Sequence, residues 1–374
     1  MPYFIGLLSM SLFLVLPVIA RGQTSGSVVA WGSYYDGDHN TYKPMTVPSG
    51  LTNPVVIAAG YEHYLIVNSE GKPLPWGQNW AGQTDIPPAL TGIHAFAAGW
   101  TCSIIVDANG RVIVSGDLAE APTDLTNVVA VAAGFRHGLA LKGDGTVVAW
   151  GRDDYGQSEI PADLTNVIAI AAGGGHDLAL TADGKVVAWG WNNFYQSEVP
   201  PIPTNFVAVA AGYEHSLALT AEGTVVAWGR NLSGQTDIPD GLTDVVAIAA
   251  GGMHSMALKA DGTVAAWGIN TEGQSDVPPD LTNVVGIAVG YDYGLAIIGP
   301  SPKPLLLYPI RRPNTFGMSM WTSQRANYAL ESKSSLRGSV WTPFLIFQGN
   351  GGFKTITDSN AVEAQTFYRL RMEQ

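Results

Sequence analysis

One cysteine, Cys102, stands among 374 residues. No internal disulfide can form, so stability has to come from the packing of the fold, and Cys102 is expected as a small buried apolar residue. Charge is scarce as well. Asp, Glu, Lys and Arg make up 13% of the chain, and 19 basic residues oppose 31 acidic ones for a net charge of -12. A nucleic acid or an anionic membrane surface requires clustered cations, and the Lys and Arg here are scattered, so neither is an expected partner. No G-x-S-x-G elbow, H-E-x-x-H pair or Walker loop occurs, which removes the signatures of several hydrolase, zinc-protease and nucleotide-binding classes. No metal, cofactor or catalytic set is expected, and the chain is read as non-enzymatic.

What is abundant is glycine and proline, 44 and 23 residues, which favours short strands joined by tight turns and an all-β class. Residues 3–19 are almost wholly apolar (YFIGLLSMSLFLVLPVI), and Val18 and Ala20 stand three and one residues before a cut ahead of Arg21. Residues 1–22 are therefore read as a secretory signal peptide, with an uncleaved anchor as the alternative because the run lacks a preceding Lys or Arg. A secreted or cell-envelope location follows as an expectation.

The dominant pattern is a repeat. The glycine of A-A-G, or its A-V-G variant, recurs at positions 60, 99, 134, 173, 212, 251 and 290, spaced by 39, 35, 39, 39, 39 and 39 residues. Trp-Gly pairs follow at Trp31, Trp76, Trp150, Trp189, Trp228 and Trp267, with Ser115 in the remaining copy. Self-similarity near forty residues marks a unit that cannot bury its apolar faces without neighbours. In residues 242–268, Val245 to Ala250 reads as a first strand and Ser255 to Lys259 as a second. Asp261-Gly262 reads as a tight turn and Thr263 to Trp267 as a third strand. Residues 273–278 (GQSDVP) are expected to add a weak fourth strand ended by Pro278.

Four antiparallel strands per unit describe a propeller blade. Residues 26–32 supply a third strand without a first and second, and residues 284–298 supply a first and second without a third. A seven-bladed β-propeller over 26–299, closed by the N-terminal strand, is the predicted architecture, because closure hides otherwise exposed sheet edges.

The segments VVAWG, GQTDIP, VVAIAAG and HSLAL resemble repeats of the regulator of chromosome condensation family. The short repeat and its Gly-Gln-Thr-x-x-Pro segment also look like those of secreted seven-bladed β-lactamase-inhibitor propellers. The resemblance implies a propeller. In the inhibitors it implies an aromatic loop rim as the contact surface; in the chromosome condensation regulator it implies guanine nucleotide exchange on a small GTPase and docking on nucleosomes. An exported, acidic chain fits that exchange activity poorly.

Five copies carry histidine three residues after the repeat glycine: His63, His137, His176, His215 and His254, with Cys102 and Tyr293 in the others. A zinc site needs three or four ligands converging on one ion, so the favoured reading is that each imidazole bonds backbone of its own or the adjacent blade and fixes the turn.

The G-x-x-H turns and the W-G-x-N-x-x-G loops fall on one rim. After the repeat glycine come Tyr61, Trp100, Phe135, Gly174, Tyr213, Gly252 and Tyr291, and the loops add Tyr34, Tyr35, Trp80, Tyr155, Trp191, Phe194 and Tyr195. Aromatic-rich loops on a regular scaffold suit protein recognition, with Tyr61, Trp80, Trp100, Phe135, Tyr155, Trp191, Phe194, Tyr213 and Tyr291 as the predicted partner-binding residues. The competing reading packs these rings inward between blades. Glu62, Asp153, Asp154, Glu214 and Asp292 are expected to make the face negative and to favour a cationic partner.

The alternative function is an extracellular polysaccharide-binding or glycan-cleaving propeller, with the aromatics stacking on sugars and Asp153 or Asp154 serving as acid or base. Asp36, Asp38 and Asn40 resemble the opening of a calcium loop, but Thr41 and Val47 stand where such a loop wants Gly and Glu, so an enlarged first W-G loop is favoured. Beyond a stiff linker at 300–304 (PSPKP), residues 305–374 read as a small β-sandwich. That segment resembles a C-terminal module of exported bacterial proteins at Tyr328, Glu331, Trp341, Asp358 and Phe367-Tyr368-Arg369. A monomer is expected.

Overall fold

The computed structural model describes residues 26–36, 41–51, 53–202 and 205–299, and the strand segments 306–312, 315–321, 327–333, 342–348, 353–358 and 367–373. The expected signal peptide, most of the calcium-like stretch, the expected 300–304 linker and Trp341 lie outside them. The described structure is all-β.

Six repeats form three-stranded antiparallel sheets. Blade 1 comprises Pro54–Ala59, His63–Asn68 and Pro73–Gly77. Blade 2 comprises Ala95–Ala98, Cys102–Val106 and Val112–Gly116. Blade 3 comprises Val128–Ala133, His137–Lys142 and Val147–Gly151, and blade 4 Val167–Ala172, His176–Thr181 and Val186–Gly190. Blades 5 and 6 repeat the pattern at Phe206–Ala211, His215–Thr220 and Val225–Gly229, then at Val245–Ala250, His254–Lys259 and Val264–Gly268.

The seventh sheet is made from both ends of the repeat region. Val284–Val289 and Tyr293–Ile298 pair with each other, and Ser27–Asp36 pairs with the latter in the register Val28↔Ile297, Ala30↔Leu295 and Gly32↔Tyr293. Thr41–Pro44 folds back on Ser33–Asp36 and makes this sheet four-stranded, so the enlarged first W-G loop is a hairpin extension.

Middle strands are buried on both faces, as in His176–Thr181 and His215–Thr220, because a sheet lies against each side. The cores therefore belong to pairs of blades. Leu65, Val67, Phe96 and Ile105 join blades 1 and 2; Leu178, Leu180, Ala218 and Trp228 join blades 4 and 5. Val28, Leu295 and Ile297 of blade 7 pack with Tyr64 and Ile66 of blade 1. Each buried aliphatic side chain contributes ~1.5–3 kcal/mol only when its neighbour sheet is present, which is why the repeat does not stand alone.

The predicted fourth strand is absent. Residues 273–278 and their equivalents form turns and irregular chain, since their backbone groups bond to each other and to Asn and Trp side chains instead of to a sheet edge. Trp31, Trp150, Trp189, Trp228 and Trp267 of the Trp-Gly pairs are all buried, but Trp76 is 42% exposed. Its cross-strand partner is Tyr64, fully buried, where the other blades place Gly, Ser or Asp; the phenol occupies the space an indole takes elsewhere.

Past the repeats, Leu306–Arg312, Thr315–Trp321 and Phe353–Asp358 form one antiparallel sheet, and Thr342–Gln348, Asn327–Lys333 and Phe367–Glu373 a second. No helix among the described residues is long and apolar enough to cross a membrane.

Candidate functional site

The five histidines are fully buried and do not converge. Four of them reach a side chain forty residues ahead, on the next blade. His63 Nε2 lies 3.0 Å from Ser103 Oγ, and His176 and His215 lie 2.9 Å from Ser216 and Ser255. Those three hydroxyls donate to the carbonyls of Gln83, Gln196 and Gln235 at 2.8–2.9 Å. With its single proton committed there, the serine can only accept, so each imidazole is the Nε2–H tautomer and donates. A side chain of the next blade is thus the main partner, which the sequence did not give, and it stands beside the expected backbone contacts of His63 with Cys102, His176 with His215 and His254 with Tyr293. At His254 the corresponding position is Gly294, which offers no side-chain acceptor.

The repeat glycine is explained by the same ring. A Cβ on Gly212 would lie 2.3 Å from His215 Cε1, and one on Gly134 would lie 2.2 Å from His137 Cε1. In blade 7 Tyr293 replaces the histidine, and its hydroxyl donates to His63 O at 2.7 Å.

Burial lowers His63 and His254 to about 4 and His176 and His215 to about 3, so this belt is neutral near pH 7. His137 differs. Burial alone would lower it, but the buried carboxylate of Asp177 at 2.9 Å outweighs burial and raises it, while burial raises Asp177 itself. Burial likewise pushes the Cys102 thiol up to about 12, an inert protonated group. Among the described residues no group of three or more His, Cys, Asp or Glu could hold a metal ion.

The loop motif W-G-x-N-x-x-G-Q is a hydrogen-bond frame. Gln83, Gln157, Gln196, Gln235 and Gln274 are buried, and their Oε1 atoms accept from Ala81, Tyr155, Phe194, Ser233 and Glu272 N at 2.8–2.9 Å. The Gln157, Gln196, Gln235 and Gln274 carbonyls accept the indole N–H of Trp189, Trp228, Trp267 and Trp31 at 2.9–3.1 Å. Asn79, Asn192, Asn231 and Asn270 Oδ1 accept from Thr84, Ser197, Thr236 and Ser275 N. Asp153 fills that role towards Ser158. It is a structural residue of its loop.

This frame presents residues at the loop tips. The residue after each W-G donates to the turn before the histidine, as Arg152 N to Arg136 O and Trp191 N to Gly175 O; loops and turns therefore share one face. There the predicted aromatics meet. Tyr61 stacks on Trp100 with centroids 4.1 Å apart, Trp100 touches Phe135, Tyr213 and Tyr291 at 4.7, 5.2 and 5.0 Å, and Tyr61 lies 4.6 Å from Tyr291. Rings from blades 1, 2, 3, 5 and 7 can all touch only by converging on the centre of the ring. They form a half-buried aromatic plug. Burial raises Tyr61 and Tyr213, and brings Tyr291 to about 12.

The plug continues outward through Trp191, 6.2 Å from Tyr213, to Tyr155, stacked at 5.1 Å, and to Phe194 at 5.8 Å. Its outer edge is open to solvent: Trp80 is 60% exposed, Tyr155 45%, Tyr195 67% and Leu232 78%. The inner rings are packed on each other and the outer rings are exposed. Leu232 escaped a reading that counted aromatics only, although it occupies the loop position of Trp80.

The predicted negative face needs correction. Glu62 and Glu214 are buried, Glu214 is paired with Arg230, Asp154 with Arg152, and Asp117 with Arg136. The three arginines also lie over rings, Arg152 at 5.3 Å from Phe135 and Arg230 at 4.9 Å from Phe194. The sequence listed acids by proximity to aromatics and missed these cations, whose positions in loop and turn were equally visible. The face is instead polarised. Blades 3 and 5 carry Arg–acid pairs, while Glu272 and Asp292 lie on the side of blades 6 and 7, where burial and then Glu272 raise Asp292 to about 6.

Arg136 has φ 62°, a left-handed backbone that costs a residue with Cβ ~1–2 kcal/mol. Among the described residues the other non-glycine residues with positive φ are Asn53, Asn127, Asn166, Asp244 and Asn283, at the turn before a first strand, and Tyr195, at the loop position that is Gly82, Gly156, Gly234 or Gly273 elsewhere. Arg136 alone in this set departs from the repeat.

Comparisons with known proteins agree with this geometry. Residues 128–157, 167–196, 206–235 and 245–274 match the regulator of chromosome condensation (RCC1) repeat. These are blades 3 to 6, each matched from its first strand to the buried glutamine. Protein pim1 of Schizosaccharomyces pombe is 29% identical over 173 residues, 35% of this chain and 32% of that protein; the match spans about a third of the relative's length. Prp20p of Saccharomyces cerevisiae, in a structure described with its binding properties to Gsp1p and histones, superposes with TM-score 0.64 at 19% identity over 78% of this chain and 94% of that one. Yeast RCC1 (Prp20) bound to Kap60 gives TM-score 0.65 at 18% identity over 80% and 94%. At that identity the likeness concerns the fold. Blades 3 to 6 are thus built of RCC1 repeats, and the sheet architecture is that of a β-propeller.

Proposed function

We propose that this is an exported, non-enzymatic propeller that binds a partner protein through the aromatic face. The observation that carries the proposal is the run of touching rings from the plug through Trp191 to the exposed Tyr155, with Trp80, Tyr195 and Leu232 exposed on the loops of the same face. Large rigid side chains held by buried glutamines offer contact area at little entropic cost, the character of binding hot spots. The yeast relatives, described with Kap60, Gsp1p and histones, are in keeping with a protein partner, although the identity of this one differs with the loops. Export rests on the apolar run at 3–19.

The carboxylates considered for sugar chemistry have other work here: Asp153 holds its loop and Asp154 pairs with Arg152. The test is capture of envelope and culture-medium proteins by the full chain, with Trp80→Ala, Tyr155→Ala and Trp191→Ala compared with Asp261→Ala on the opposite rim. A partner lost with the first three and kept with the last supports the face. A captured set indifferent to all three refutes it.

A further inference from the structure

Blade 2 lacks four residues relative to the 39-residue period, and the loss falls in its W-G loop. Residues 115–121 contain neither the tryptophan nor the glutamine of the other loops. The frame is patched: Trp150 donates to Ala119 O at 3.1 Å, in place of a glutamine carbonyl, and Ser115 donates to Asp85 O. Where a full loop would cover the neighbouring blade, a cleft of about 520 Å³ is left, lined by Asp117, Leu118 and Ala119 of the short loop and by Phe135, Arg136 and Arg152 of blade 3.

The two guanidinium groups lie over the same ring, 5.6 and 5.3 Å from the Phe135 centroid. Each is held by one carboxylate, Arg136 by Asp117 at 2.7 Å and Arg152 by Asp154. A guanidinium has five N–H donors and one carboxylate takes at most two of them. Both cations are thus oriented without being saturated. Arg136, which lines the cleft, has a left-handed backbone, and strain of this kind collects at binding sites.

The geometry points to a carboxylate-binding site: the cleft between blades 2 and 3 takes a carboxylate attached to a small apolar or aromatic group, the carboxylate on Arg136 and Arg152 and the apolar part on Leu118 and Phe135. Resting on the protein-binding reading above, this identifies the partner's anchor as its C-terminal carboxylate or an Asp or Glu side chain next to an apolar residue.

The test titrates the full chain with N-acetylphenylalanine, which has a terminal carboxylate, with N-acetyl-Phe-Glu-amide, which has a side-chain one, and with N-acetylphenylalaninamide, which has neither. Trp100, 4.7 Å from Phe135, supplies a fluorescence signal. Saturable quenching by at least one carboxylate probe is expected, and the stronger of the two names the source. The amide should bind about tenfold or more weakly. Arg152→Gln and Arg136→Gly should weaken the carboxylate probe about tenfold or more. Arg136→Gly suits the backbone φ, so its melting temperature should not fall.

No saturable response, equal binding of the amide, or unaltered binding by both folded variants overturns the site. These outcomes are separable from those for the wider face. Probe binding without partner capture through Trp80 and Tyr155 keeps the cleft and removes the protein-binding reading, and the converse removes the cleft alone.

Discussion

Blade 5 carries every part of the repeat, whereas blade 2 has lost the tryptophan, the histidine and the loop glutamine, yet its strands pair in the same pattern, Cys102↔Gly116 against His215↔Gly229. The difference separates two kinds of stabilisation. Apolar burial is shared between adjacent sheets, so Ile104 and Val106 keep blade 2 in place through their packing on Val128, Val131 and Trp150. The polar frame is local: where Gln83, Gln196 or Gln235 is present a full loop stands, and where none is present the loop collapses and a cleft opens. A blade can therefore be degraded on one face without leaving the ring, and that is how a repeat protein acquires an asymmetric site.

The sharpest way to break this comparison is at the repeat glycine. Gly212→Ala drives a methyl to 2.3 Å from His215 Cε1 and 2.7 Å from Gly251 O, while Gly99→Ala meets Gly134 O at 2.6 Å and the more yielding Cys102 sulfur at 3.0 Å. Loss of ~3–4 kcal/mol in blade 5, and about half that in blade 2, is expected from chemical denaturation. Equal costs would show that the imidazole is not what excludes a side chain.

Acid should come next. His63, His176, His215 and His254 are lowered to about 3–4 in the fold and stand near 6.5 when unfolded, so between these values the unfolded chain binds the extra protons and stability falls with pH. Asp292, raised to about 6, works oppositely, its native form holding a proton from about 6 down to 4. Four protons less that of Asp292 leave a net uptake of at most about three on unfolding around pH 5, or ~4 kcal/mol per pH unit at most, and the raised Asp177 lowers it further. A pH-independent midpoint between 6.5 and 4.5 would contradict the neutral belt.

Asp177→Ser should then raise stability by ~1–2 kcal/mol, because it replaces a buried carboxylate with the hydroxyl that blades 2, 5 and 6 use at that position; a lower melting temperature would mean the Asp177–His137 pair is a net stabiliser. Smallest of all, Trp80→Ala and Leu232→Ala should change stability by no more than ~0.5 kcal/mol, since both side chains are largely solvated. A larger loss would make them packing residues and not contact residues.

Much of the framework was legible in order. Val245–Ala250 is the strand that the A-A-G spacing marks out, and the G-x-x-H and W-G signals locate each turn. The GQSDVP segment misled because a proline-ended alternating run looks like an edge strand, while its real role, binding the Asn270 side chain and supplying Gln274 to the loop backbone, depends on loop closure in three dimensions. The Glu214–Arg230 pair was invisible for a related reason: its partners are sixteen residues apart, and only the stacking of turn against loop brings them together.

The sequence by itself determined the count and phase of the blades, because periodic apolar burial is a one-dimensional property that each copy restates. Only the tertiary structure decided which rings pack with one another and which face water, and where two arginines share a cleft, because those outcomes depend on distances between blades that no single repeat contains.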